Sequence, residues 1–232
     1  MAAIPAGEFT MGRTKLTPDD KTKMRPQILL DDRPAHRVFL DAYRMDLREV
    51  TNSEYAAFVN ATHHRTPYHW RNGRIPAGEE NFPVFNVDWQ DADAYCRWEG
   101  KRLPTEAEWE RAARGGVEGA DYPWGDKADQ KLARYGQTNP GPVGAYPPNG
   151  FGLFDMAGGV SEWCSDWFER LYYERSPAPN PQGPEKGLYK IVRGGAWSDE
   201  ASRITVFFRN WVRPNQRTPN LGFRCVRAAG KN

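Results

Sequence analysis

Asp155 and Glu162 bracket a glycine pair, Gly158 and Gly159, in the stretch PPNGFGLFDMAGGVSEWCSDW that runs from Pro147 to Trp167. Carboxylates on either side of backbone that glycine leaves free to turn are what hard cations take from an irregular loop, together with main-chain carbonyls. The stretch is too rich in glycine for a stable helix and too irregular for a long strand, so its order must come from something else. A cation stapled into the loop is one reading. An ordinary buried turn, with Glu162 paired to one of the chain's arginines, is the other, because buried acids are as a rule paired.

Sulfur and imidazole offer less. Cys96, Cys164 and Cys225 are odd in number, far apart and each beside aromatic or apolar neighbours. Three buried thiols is the expectation, with one disulfide and one free thiol as the alternative in an oxidising compartment. The paired spacing of a zinc site is absent. The histidines are His36, His63, His64 and His69. His64 and His69 fall in a loop without an evident carboxylate partner, and all four read as exposed or loop-packing residues.

Composition limits the function classes. A chain of 232 residues with a formal charge of +2 and scattered Lys and Arg carries no clustered basic face, which excludes a nucleic-acid footprint. No apolar run approaches the roughly 18 residues of a membrane span. Met1 leads into domain sequence without a signal-peptide core, so the chain reads as soluble, and as cytoplasmic if it is complete.

The elements that must position these residues announce themselves by their caps. Thr51 with Glu54 and Thr105 with Glu108 fit the capping box, and Asp88 with Asp91 offers the same opening. Behind them Tyr55, Phe58 and Val59 share a helix face, as do Ala94, Tyr95 and Trp98, and Trp109, Ala112 and Ala113. Gly100 and Gly115 stop the last two helices. Strands are expected at 4–11, 36–45, 189–194 and 220–228, a surface loop at 13–34, and a Pro-rich surface excursion at 172–188. The spacing of Gly, Pro and Asn allows no helix between Gly116 and Glu162. A single α+β domain over 1–232, with much irregular backbone, accounts for all of this.

The segments GKRLPTEAEWERAARGG (100–116), GLFDMAGGVSEWCSDW (152–167), VRGGAW (192–197) and NLGFRCVR (220–227) together resemble the formylglycine-generating enzymes, also called sulfatase-modifying factors. The resemblance implies a C-type-lectin-like fold. It also implies a structural calcium site formed by Asp155, the Gly158 and Val160 carbonyls and Glu162, while a second family site lacks its acidic loop here. The family's oxidising centre is a Cys-x4-Cys pair whose thiolates hold copper(I), a metal that needs soft ligands. In this chain Asp199 and Ile204 stand at those positions, so copper-dependent formylglycine formation is not expected. The His-x3-His-x-Glu pattern of iron-using relatives is absent as well.

What the resemblance leaves is a ligand groove on the C-terminal face, carried by Trp197, Asp199, Phe207, Arg209, Asn210, Trp211 and Arg213. Aromatics with Arg and Asn are what binding hot spots favour. The alternation of Val206, Phe208, Asn210 and Val212 also suits a packed strand. The first functional reading is a binding or accessory module that takes a peptide or protein ligand in this groove. The alternatives are a maturation enzyme with other oxidative chemistry on the same scaffold, and a diversified lectin-like ligand-binding protein.

Overall fold

The computed structural model describes residues 1–15 and 31–230. The first expected strand is divided at Pro5, which has no N–H to give a ladder, into β1 (Ala2–Ile4) and β2 (Gly7–Met11). The second divides likewise into β3 (His36–Leu40) and β4 (Tyr43–Met45). Three helices follow, α1 (Asn52–Thr62), α2 (Trp89–Trp98) and α3 (Glu106–Arg114), each opened by a complete capping box at Thr51, Asp88 and Thr105. After a helix-free run come β5 (Ser161–Trp167), β6 (Lys190–Arg193), β7 (Asn210–Val212), β8 (Leu221–Gly222) and β9 (Val226–Ala228).

Among the described residues these strands form three small sheets in a mixed α+β fold: β1-β4-β9, β2-β3 and β7-β6-β5-β8. The chain's two ends meet on β4, where Ala2 pairs with Met45 and Tyr43 with Ala228. In the largest sheet β5 runs antiparallel to β6, with Glu162 opposite Arg193, and parallel to β8, with Glu162 opposite Gly222. The stretch judged too irregular for a long strand therefore contains the sheet's central one, because its glycines end before Val160 and the apolar run begins there.

Burial refines three further expectations. The surface loop at 13–34 lies outside the described residues over 16–30, and in its last part Asp31 and Asp32 are buried while Pro34 is exposed. The Pro-rich excursion is anchored rather than loose: Tyr172 and Tyr173 are buried, and the Phe39 N–H donates to the Ala178 carbonyl at 2.7 Å while the Asn180 N–H donates to the Phe39 carbonyl at 2.8 Å. Trp98, placed on the inner face of α2, is 41% exposed.

α3 is the buried helix of the fold. All nine of its residues are buried, including Glu106, Glu108, Glu110, Arg111 and Arg114. It lies between the sheet containing β5 and β6 and the β2-β3 pair. Its start rests on Thr105, whose hydroxyl accepts from the Glu108 N–H while the Glu108 carboxylate accepts from the Thr105 N–H at 2.9 Å. Thr105→Ala should cost about 1 kcal/mol in urea denaturation, the usual value of an N-cap. An unchanged denaturation midpoint would mean that packing alone holds this terminus.

Candidate functional site

Two buried charge centres support the candidate surfaces. In the first, Arg224 donates from Nε and one terminal nitrogen to Glu162, at 2.7 to 3.0 Å, and Trp109 Nε1 donates to Glu162 Oε2 at 2.8 Å. Arg224 also donates to the carbonyls of Phe154 and Leu47, at 3.0 and 3.3 Å. A guanidinium thus ties the glycine-rich loop to the core, and Glu162 is a paired core acid. Asp155 takes positive φ (56°), and its Oδ2 accepts from the Gly144 N–H at 2.6 Å. Gly158 donates its N–H to the Gly194 carbonyl, and Val160 donates to Glu49 Oε1 at 2.8 Å.

Glu49 is the residue that sequence reasoning missed here. Burial, and then the charges of Asp155 and Glu162, push its carboxyl well above the usual range. Three carboxyl groups thus face one guanidinium. Of these, Asp155 and Glu162 flank the glycine-rich backbone, and paired carboxyls beside main-chain carbonyls are donors of the type that suits a hard dication. An ion at this place would share Glu162 with Arg224.

The second centre is carried by α3. Arg209 is 3% exposed and donates to both oxygens of Glu106, at 2.7 and 3.0 Å. Arg193 donates to Glu106 at 3.2 Å and to Glu110 at 2.6 Å, and Arg114 donates to Glu110 at 2.6 Å. Burial opposes the charge on Glu110, yet Arg114 and Arg193 hold its carboxyl below the usual range. Above this network opens a cavity of about 500 Å³.

The cavity collects Phe207, Arg209, Asn210 and Trp211 from the expected groove residues. The other three lie elsewhere. Trp197 is buried with Phe85 and Val160, Asp199 accepts from the Ala196 N–H at 2.8 Å within its own turn, and Arg213 lies over the Tyr189 ring. Within the cavity Arg209 presents a guanidinium already engaged by Glu106. Trp211 is stacked on Phe168 with ring centroids 4.2 Å apart.

The redox positions are equally defined. Asp199 is the turn acid just described, and Ile204 is fully buried with Tyr122, Ala133 and Ala157. Cys96 and Cys225 form a disulfide, which corrects the expectation of three free thiols; Cys164 alone is free. It is buried in β5, and burial raises its thiol well above the ordinary value. His64 does have a carboxylate partner, since its Nε2 lies 2.8 Å from Asp91 Oδ1. His69 stacks on Phe85, and burial pushes its imidazole down to about 4. Among the described residues no group of three or more His, Cys, Asp and Glu could hold a metal ion.

Small sheets packed round an acidic buried helix, with the glycine-rich loop clamped by Arg224, define a formylglycine-generating-enzyme-type, C-type-lectin-like fold. Residues 1–229 match the model of the sulfatase-modifying factor enzyme 1-like domain, and the chain belongs to that family. It is 36% identical to the formylglycine-generating enzyme of Streptomyces coelicolor, over 97% of this chain and 88% of that one. It is 31% identical to the inactive C-alpha-formylglycine-generating enzyme 2 of Bos taurus, over 100% and 89%. Among solved structures, PvdO from Pseudomonas aeruginosa superposes with a TM-score of 0.81 at 30% identity, covering 98% of this chain and 93% of its own. Treponema denticola variable protein 1 superposes with the same score at 26% identity, covering 97% and 94%. No helix among the described residues is long and apolar enough to cross a membrane.

The buried acids make a pH prediction. Burial, and then the neighbouring Glu106, push the Asp166 carboxyl up to about 7 from an ordinary value of 3.8. A folded-state pKa raised in this way gives stability that is present below the unfolded value and is lost as pH rises through the folded one. Asp166→Asn removes that loss. The variant's stability minus that of the wild type should therefore climb between about pH 4 and pH 7, by at most roughly 1.4 kcal/mol per pH unit, and level off above. Parallel denaturation curves across that range would show that Asp166 is not held neutral.

Proposed function

We propose that this chain is a binding or accessory member of the sulfatase-modifying factor family, taking a peptide or protein ligand on its C-terminal face, and that it does not form formylglycine with copper. The observation that carries this reading is the pair Asp199 and Ile204. One is a turn-capping carboxylate and the other a buried aliphatic side chain, where copper(I) chemistry asks for two thiolates. No other cysteine replaces them, since Cys96 and Cys225 are joined and Cys164 is buried. A relative whose name calls it inactive and a structural neighbour named a variable protein are in keeping with a scaffold used for more than one task. Incubation of a cysteine-containing sulfatase peptide with the protein, oxygen and copper should leave the thiol intact by mass spectrometry. Copper-dependent conversion of the cysteine to formylglycine would overturn the reading.

We also propose a structural calcium ion at Asp155, the Gly158 and Val160 carbonyls and Glu162. The two carboxyl groups of Asp155 and Glu162 beside glycine-permitted backbone support it, and its role is stability rather than chemistry. A ligand bound only by the native state adds RT ln(1 + [L]/Kd), about 2.7 kcal/mol at 100 times Kd. The melting temperature should rise with calcium against chelator at matched ionic strength. Asp155→Gly, which suits the positive φ and keeps the Arg224–Glu162 pair, should abolish that rise. Identical wild-type melting with and without calcium would leave Arg224 as the loop's sole staple.

A further inference from the structure

The cavity on the C-terminal face contains oxygens that no described residue uses. Asp31 and Thr205 both line it and are 5% and 6% exposed, yet Asp31 Oδ2 and Thr205 Oγ1 have no hydrogen-bond partner. Asp32 Oδ1, also buried at the cavity, has none either; Arg33 Nε lies 3.8 Å away, too far to donate. Buried acceptors are normally satisfied, so three in one cavity call for a donor from outside.

None of the surrounding cations lies within hydrogen-bond distance of these three oxygens. Arg13 donates to the other oxygen of Asp32, at 2.5 and 2.9 Å. Arg209 is bidentate on Glu106 and donates to the Asp31 carbonyl at 2.7 Å, which fixes the Asp31 backbone and leaves Oδ2 without a donor. Arg203 lies over the Phe208 ring. Two of the unspent groups are carboxyl oxygens, which accept, and the third is a hydroxyl that can accept as well as donate. Tyr122, Phe207, Phe208 and Trp211 add aromatic walls, against which a cation with an apolar body is favourably held.

We propose that this cavity is a subsite for a protonated primary amine carried on an apolar or aromatic body, with Asp31, Asp32 and Thr205 as its acceptors. The proposal rests on the reading of the C-terminal face as a ligand groove and names the group that the groove selects. An ammonium has three donors and no acceptor, which suits orphaned oxygens drawn from two carboxyls and a hydroxyl better than a planar guanidinium, whose natural partner is one bidentate carboxylate. The amine can be a lysine side chain of a peptide or a free small molecule, and the experiment separates the two.

Binding is followed by intrinsic tryptophan fluorescence and calorimetry with five probes at up to millimolar concentration. They are the blocked peptide acetyl-Gly-Lys-Phe-Gly-amide, its Nε-acetyl-lysine counterpart, the same peptide with Glu for Lys, and phenethylamine beside neutral 2-phenylethanol. The lysine peptide should bind about tenfold or more tightly than its acetylated and glutamate counterparts. Asp31→Asn, and independently Thr205→Val, should erase most of that preference while thermal unfolding confirms that each variant folds. Preference for phenethylamine over the alcohol without any peptide binding would keep the amine subsite and sink the peptide reading of the groove. Equal binding of lysine and acetyl-lysine peptides would keep the groove and overturn the subsite. So would tighter binding of the glutamate peptide, an unchanged preference in the folded Asp31→Asn protein, or no binding of any probe.

Discussion

The fold depends on burying the carboxylates of α3 without leaving them unpaired. Glu106 and Glu110 lie inside the protein, where an isolated charge costs several kcal/mol even after relaxation. Arg193 from β6, Arg209 from the approach to β7 and Arg114 from the helix itself converge on them. Each bond also fixes a piece of chain. Gly12 donates its N–H to Glu110, Arg114 donates to the Gly12 carbonyl, and Arg209 donates to the carbonyl of Asp31. The N-terminal strands, the central sheet and the cavity wall are therefore positioned by one set of charges, and none can shift without exposing a partner to an apolar interior.

Arg224 and Glu162 repeat the principle on a smaller scale. The guanidinium occupies the role that the glycine-rich loop seemed to require of a cation: it neutralises an acid and gathers carbonyls that have no ladder to join. Its charge is smaller than the sum of the carboxyl groups around it, and burial moves that mismatch onto Glu49 as a raised pKa. Trp109 belongs to both centres, since its ring lies beneath Arg193 while its indole N–H donates to Glu162.

Sequence reading recovered what is local. The boxes at Thr51, Asp88 and Thr105 could be read because both partners lie within one helical turn, and the glycine stop at Gly115 because a left-handed residue ends a helix. It could not read pairings made across the chain. Arg209 beside aromatics looks like a recognition residue until Glu106, 103 positions earlier, is found against it. Cys96 and Cys225, separated by 129 positions, carry no spacing that marks a bridge. Asp31 and Asp32 sit in a polar, unpatterned run, where nothing distinguishes two buried acids from solvated ones. Of the expected groove, Phe207, Asn210 and Trp211 came together with Arg209 because they are neighbours in sequence. Trp197, Asp199 and Arg213 were taken up by local packing.

The residues Leu221 to Ala228 close the structure at three places at once. β8 joins β5, β9 joins β4, and Arg224 with Cys225 between them meets Glu162 and Cys96. Until this segment is docked, Glu162 lacks its counter-charge and the β1-β4 pair has an open edge. The N-terminal sheet, the central sheet and the Glu162 centre are thus all completed by one short segment, and a chain in which it is undocked carries a bare edge and a lone core acid. A scaffold wired in this way tolerates variation on the surface between β6 and β8 far better than loss of Leu221 to Ala228.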